Sequence, residues 1–188
     1  MRSRLLCVAL ALSGIACAQS AANPVAAMKG KLQHIESNAA AARPDPSPTV
    51  FSEQEINAYF TSGEIKLPAG VQSVRFQGQP GVVIGNARVD FDALKAGRHS
   101  SNPLLGMFSG VHDVEVNAAA YGRGGQGVVH VNSVSLDGVE IPNFVLKLFV
   151  DKYIQPRYPN IGLDSRFALP DQIDTAVVGL HKLTVTQK

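Results

Sequence analysis

Apolar and polar positions alternate with a period of two through the middle of this chain. In residues 82–91, Val83, Gly85, Ala87, Val89 and Phe91 point one way, and Asn86, Arg88 and Asp90 the other. Residues 71–76 predict a shorter strand before it, with Gly78-Gln79-Pro80-Gly81 as the turn. A second hairpin follows. In residues 111–121, His112, Val114, Val116, Ala118 and Ala120 share a face, 122–127 is a glycine-rich turn, and 128–136 returns before Asp137-Gly138. A last pair of strands is expected around 175–178 and 182–186.

Three stretches change to a helical period. Asn23-Pro24 reads as an N-cap with proline at the first helical position. Val25, Met28, Leu32 and Ile35 then recur at spacings of three and four, and the prolines at 44, 46 and 48 end the helix in an extended linker. Ser52-Glu53-Gln54-Glu55 forms a capping box, with Phe51 and Ile56 as the hydrophobic staple, and predicts a helix over 53–61 closed near Gly63. Single helical turns fit 92–95 and 103–108. Ile141-Pro142-Asn143 introduces the most apolar helix, 143–155. There Phe144, Val145, Leu148, Phe149 and Tyr153 cluster opposite Lys147, Asp151 and Lys152, and Pro156 ends it.

Strands joined by tight turns favour antiparallel pairing, and a sheet with one apolar face needs a cover. The expected class is therefore α+β: a curved antiparallel sheet of about six strands built from hairpins. It packs around a long helix in the C-terminal half and carries an N-terminal helix. The expected organisation is a signal peptide at 1–18, a helical spacer and Pro-rich linker at 19–48, and one domain at 49–188. The first helix reads as a spacer that need not belong to the fold.

The leader sets the compartment. Arg2 and Arg4 give a positive start, Leu5 to Leu12 an apolar run, and Ala16-Cys17-Ala18 a small-x-small cleavage site. The run is shorter than the ~20 residues of a spanning helix. A periplasmic or secreted protein is expected. Both cysteines, Cys7 and Cys17, fall in the leader, so cleavage after Ala18 removes thiol chemistry and disulfides from the mature chain. Gly14-Ile15-Ala16-Cys17 offers an alternative as an imperfect lipoprotein box with Cys17 acylated. Arg2 and Arg4 also account for the whole net charge of +2. The neutral remainder argues against a nucleic-acid partner.

Candidate chemistry is sparse. His34, His99, His112, His130 and His181 are scattered, and no pair has the one-turn spacing of a zinc site. His112 and His130 could meet across the second hairpin, but two histidines make a poor metal site. Asp90 with Asp92, and Asp113 with Glu115, read as solvated strand faces rather than paired acids. No Gly-x-Ser-x-Gly elbow is present, and the glycines at 122–127 join strands instead of opening a helix. Neither a cofactor nor a metal is expected, and a hydrolase acting through Asp90 or Asp92 has no base–nucleophile spacing behind it.

The apolar surface is more suggestive. Gly85, Ala87, Ala118 and Ala120 make one sheet face small, while the facing helix carries Phe144, Leu148 and Phe149. Two readings stand: large packs against small as cores require, or the small side chains leave a groove for an apolar ligand. Leu104 to Phe108 are likewise core or groove lip. The candidate groove residues are Ala87, Val89, Phe91, Leu104, Leu105, Phe108, Val116, Ala118, Phe144, Leu148 and Phe149.

Three stretches, Phe51 to Phe60, Leu67-Pro68-Ala69-Gly70-Val71 and Ala87 to Asp92, resemble the opening of small exported LmeA-like domains. Val134 to Pro142 is similar to their middle motif, and Phe167-Ala168-Leu169-Pro170 to their late Phe-x-Leu-Pro. The resemblance spans about residues 50–186. It implies a curved sheet wrapped around helices, like half of a tubular lipid-binding (TULIP-like) module. It also implies binding of a phospholipid or other amphiphile in the cell envelope and brings no catalytic residues, and contact with a membrane is left open. The competing expectation is a ligand-free envelope scaffold that docks a protein partner through Val25, Met28, Leu32 and Ile35.

Overall fold

The computed structural model describes residues 23–95 and 101–188. The signal-peptide reading and His99 lie outside the described residues. The fold is α+β, built on an open, curved sheet with antiparallel pairing. Nine strands are present among the described residues rather than about six. They are β1 (Thr49–Ser52), β2 (Val71–Gln79), β3 (Val82–Asp90), β4 (Val111–Arg123), β5 (Gln126–Leu136), β6 (Val139–Glu140), β7 (Asp164–Ala168), β8 (Ile173–Gly179) and β9 (Lys182–Gln187).

The long strand β4 organises the sheet. One of its edges pairs with β3 over residues 111–119 and then with β8 at Tyr121 and Gly122. Its other edge pairs with β5, which also carries β6 and β7. The order is β1-β9-β8-β4-β3-β2, with β5 on the far side of β4. The β4–β5 turn is tight, with Gly124 and Gly125 both at positive φ, as a two-residue hairpin of the primed type requires. An extra residue in β5 shifts the register between Asn117 and Ala118. Such a bulge adds local bend and twist.

Helices close the two ends of the inner face. Helix α1 (Pro24–Ala39) starts as expected, with the Asn23 side chain accepting from the Val25 amide. It is part of the fold rather than a loose spacer. Met28 and Ile35 are buried against Phe51 and Val185. Lys31 pairs with Glu55 at 2.7 Å, and the buried Gln187 donates to the Ile35 carbonyl while accepting from Asn38. Helix α2 (Glu53–Thr61) carries the capping box in both directions. Its Asn57 side chain accepts from the Phe76 amide and donates to the Phe76 carbonyl, both at 2.8 Å. Glu53 accepts from the Gly78 amide. These side chains occupy the edge of β2 as a neighbouring strand would, which blunts it against pairing with another chain.

The other end is closed by α3 (Phe91–Lys95), a 3-10 turn at Pro103–Leu105 and α4 (Asn143–Phe149), which runs on as a π turn at Val150–Ile154. The long helix expected at 143–155 is thus one short α-helix and a wider turn. Its inward face is Val145, Leu146, Phe149 and Tyr153. Phe108, 1% exposed, stacks on Phe149 with ring centroids 4.2 Å apart, and Phe91 meets both rings edge-on. Two separate cores result, one under α1 and α2 and one under α4.

Candidate functional site

Strand alternation sends Val83, Gly85, Ala87 and Val89 of β3, and Val114, Val116, Ala118 and Ala120 of β4, to the inner face. Between the two cores that face is lined by small side chains, and a trough follows. It consists of three joined hollows. The first, about 400 Å³, lies between the sheet and α4 with its π turn, and includes Val89, Phe91, Phe108, Val116 and Phe149. The second, about 370 Å³, lies over the middle of the sheet and includes Gly85, Ala87, Val116, Ala118 and Ala120. The third, about 230 Å³, lies beneath α2 and includes Ile56, Phe60, Phe76 and Val83. Val116 belongs to the first two hollows, and Phe76 and Val83 to the last two. The three hollows therefore adjoin one another along the inner face.

Seven of the expected residues line it: Ala87, Val89, Phe91, Phe108, Val116, Ala118 and Phe149. Leu105 sits behind the wall in the core, 5% exposed. Leu104, Phe144 and Leu148 turn outward instead, Phe144 being 61% exposed. The reason is helical phase. Phe144 and Leu148 lie one turn apart on a stripe displaced by one residue from the buried Val145 and Phe149, so the apolar arc is wider than the buried one. Sequence reasoning missed Val74 and Phe76 on β2, although their alternation was available. It also missed Leu94 on the single turn α3, and Tyr158, Ile161 and Leu163 on a connecting segment, where no period exists to reveal them.

The polar groups do not converge on the trough. The largest concavity, about 640 Å³, lies on the opposite face among Ser73, Arg75, Asn86, Arg88, Asp113 and Glu115. Arg88 and Asp113 there pair at 3.0 Å, both well exposed, as a solvated strand face does. Asp90 caps α3 by accepting from the Asp92 and Ala93 amides, and Asp92 accepts from Gly110 and pairs with Lys95. These two carboxylates are structural. His112 and His130 do not meet: opposite His130 on β4 stands Ala119, and His130 bonds Asp164. No group of three residues able to hold a metal occurs among the described residues.

One polar cluster adjoins the wall. His112 lies against Phe91 and faces acceptors on both ring nitrogens. Nδ1 is 2.6 Å from the Asp137 carboxylate and Nε2 is 2.8 Å from the Ser109 carbonyl. The Asp137 carboxylate, then the Ser109 carbonyl, raise the His112 pKa above its ordinary value. Asp137 is lowered in turn by His112 and by the Asp113 amide. The ring thereby ties the loop before β4 to the turn after β5.

The chain matches no family model, and neither a curated protein nor a solved structure is significantly similar to it. Fold and site define it by themselves: an α+β protein whose open curved sheet holds a row of adjoining apolar hollows between two helical ends. Among the described residues no helix is long and apolar enough to cross a membrane.

Proposed function

We propose that this is an exported, non-catalytic cell-envelope protein that binds the hydrocarbon chain of a phospholipid or other amphiphile in the trough. The observation that carries the reading is the row of adjoining apolar hollows along one sheet face. From Val114 to Ala120 alone it follows β4 for about 20 Å at ~3.4 Å per residue. The hydrocarbon of one bilayer leaflet is about 15 Å deep, half of a core of ~30 Å. The trough thus has room for a chain of membrane length, and its wall offers that chain apolar contact throughout. The leader supports export, and the resemblance to LmeA-like domains agrees with the ligand class.

The scaffold reading has less behind it. Met28 and Ile35, two of its four docking residues, are buried inside this chain against Phe51 and Val185. Mass spectrometry of the mature protein from its own host, native and then denatured, tests the proposal. A native mass higher by one or two lipids is the expected result and identifies the ligand class. A bare native mass, together with no uptake of added single-chain amphiphiles, would refute it.

A further inference from the structure

The trough has a rim at the α4 end, on the segment 155–163 that leads to β7. Tyr158 and Ile161 line the first hollow and are nevertheless 43% and 50% exposed. Pro68, also exposed, and the half-buried Leu94 complete this rim. The segment is fixed by backbone bonds: Tyr158 donates to Ile154, Ile161 to Tyr158, and Val131 of β5 to Leu163. The rim residues therefore present apolar atoms to solvent from a held backbone, continuous with the apolar wall behind them.

The charges around the rim have one sign to spare. Arg157 bonds the Leu94 carbonyl at 2.8 Å, and no carboxylate partners it among the described residues. Lys66, two residues before Pro68, is exposed and likewise has no carboxylate partner there. The carboxylates on neighbouring elements are already engaged. Asp92 pairs with Lys95, Asp151 with Lys147, and Asp164 with His130, while Asp90, with no basic partner among the described residues, accepts from the Asp92 and Ala93 amides.

We infer that this rim docks on an anionic membrane surface, so that a chain passes between bilayer and trough without crossing water. The inference rests on the trough being the ligand site. A tyrosine ring and an aliphatic side chain flanked by basic groups suit the headgroup boundary. The ring is amphipathic, and the long basic side chains reach the phosphates with their charged ends. Each basic residue near an anionic leaflet strengthens binding about fivefold, and salt weakens the effect. Lys66 and Arg157 together are then worth about 25-fold.

The test compares two readouts on the mature chain. One is flotation with vesicles of phosphatidylcholine alone or mixed with phosphatidylglycerol. The other is uptake of a soluble fluorescent fatty acid presented as monomer. The expected result is flotation with the anionic vesicles only. It should weaken about 25-fold in the Lys66→Gln/Arg157→Gln variant, with soluble-probe uptake unchanged. Phe144→Asp, at an exposed apolar side chain that does not line the trough, should float like the wild type. A wild type that takes up the probe but ignores anionic vesicles overturns the docking inference and leaves the trough reading standing. So does a Lys66→Gln/Arg157→Gln variant that floats as the wild type does. A wild type that takes up no probe refutes the trough reading and the docking inference with it.

Discussion

The middle hollow can be closed from within by Ala118→Phe. Ala118 lies between Val83 of β3 and Val131 of β5, and its side chain faces the hollow of about 370 Å³. A phenyl group fits that volume and divides the trough between Val116 and Val83. Each methylene buried in an apolar site contributes about 0.8 kcal/mol, or roughly fourfold in Kd. Wild-type affinity for a series of single-chain amphiphiles should therefore deepen about fourfold per added methylene until the trough is full. If the ring displaces about four methylenes, the longest chains lose about 3 kcal/mol, or roughly two orders of magnitude, and the series levels off early. Titration calorimetry across the series reads both slopes. Urea unfolding of the ligand-free variant supplies the opposing expectation. A closed, well-packed interior would be overfilled by the ring, at a cost of about 1–3 kcal/mol. A ring that enters an existing trough should leave the midpoint unchanged or raise it. A wild-type chain-length profile in Ala118→Phe, or a destabilised variant with no loss of binding, refutes the reasoning.

Three further perturbations test the frame around the trough. Gly70 has φ +89°, and a Cβ there would stand 2.5 Å from the Asp90 carbonyl and 2.7 Å from the Leu94 amide, so Gly70→Ala should cost at least about 2 kcal/mol in urea unfolding. Gly63→Ala, at φ +82° with open space around it, should cost only the strain of about 1 kcal/mol, and equal effects would remove the steric argument. Asn57→Ala leaves the Phe76 amide and carbonyl without their side-chain partner, which should cost about 1–3 kcal/mol and promote edge-to-edge association visible by sedimentation. The His112 pKa stands above the usual 6.5, raised first by the Asp137 carboxylate. The bridge's stabilisation is then complete below about pH 6.5 and lost as pH rises through the folded value. Asp137, lowered from 3.8, keeps its share above that value and loses it only in stronger acid, as pH falls through its folded pKa. Wild-type Tm should fall, as pH rises from about 6.5 through the folded pKa, more steeply than that of His112→Gln, and equal slopes would exclude the bridge as the cause.

The fold was legible where the signal is local. The capping box at Ser52 and Glu55 needs only four residues, and the hairpins of β2 to β5 need only alternation and glycine at the turns. The rest depends on distant partners. β1 has four residues, β6 has two, and β7 acquires strand conformation by pairing with β5 along Gln126–His130. None of these carries enough pattern to stand out. Helix α1 looked detachable because a proline-rich stretch follows it. What holds it is chemistry from the other end of the chain: Val185 beneath Met28 and Ile35, and the Gln187 amide on the Ile35 carbonyl.

The same distinction decides between the two readings of the small-residue face. A packed core at Gly85, Ala87, Ala118 and Ala120 requires large side chains opposite, and the sequence nominated Phe144, Leu148 and Phe149 for that place. Phe149 alone of these turns inward, and it is held by Phe91, Phe108 and Tyr153 at one end of the sheet. Phe144 and Leu148 face outward. At the other end α1 and α2 close over Phe51 and Val185. The α4-end core reaches Ala87 and Val116, but at Gly85 an added Cβ would touch only the Phe76 ring, at an ordinary 3.7 Å. Cores normally match large against small because an unfilled apolar space forfeits contact energy on every wall. Here the small side chains occur together and their large counterparts are displaced to both ends, so the space between them is long, apolar and bounded. That is the shape of an extended chain, and the reason to look for one there.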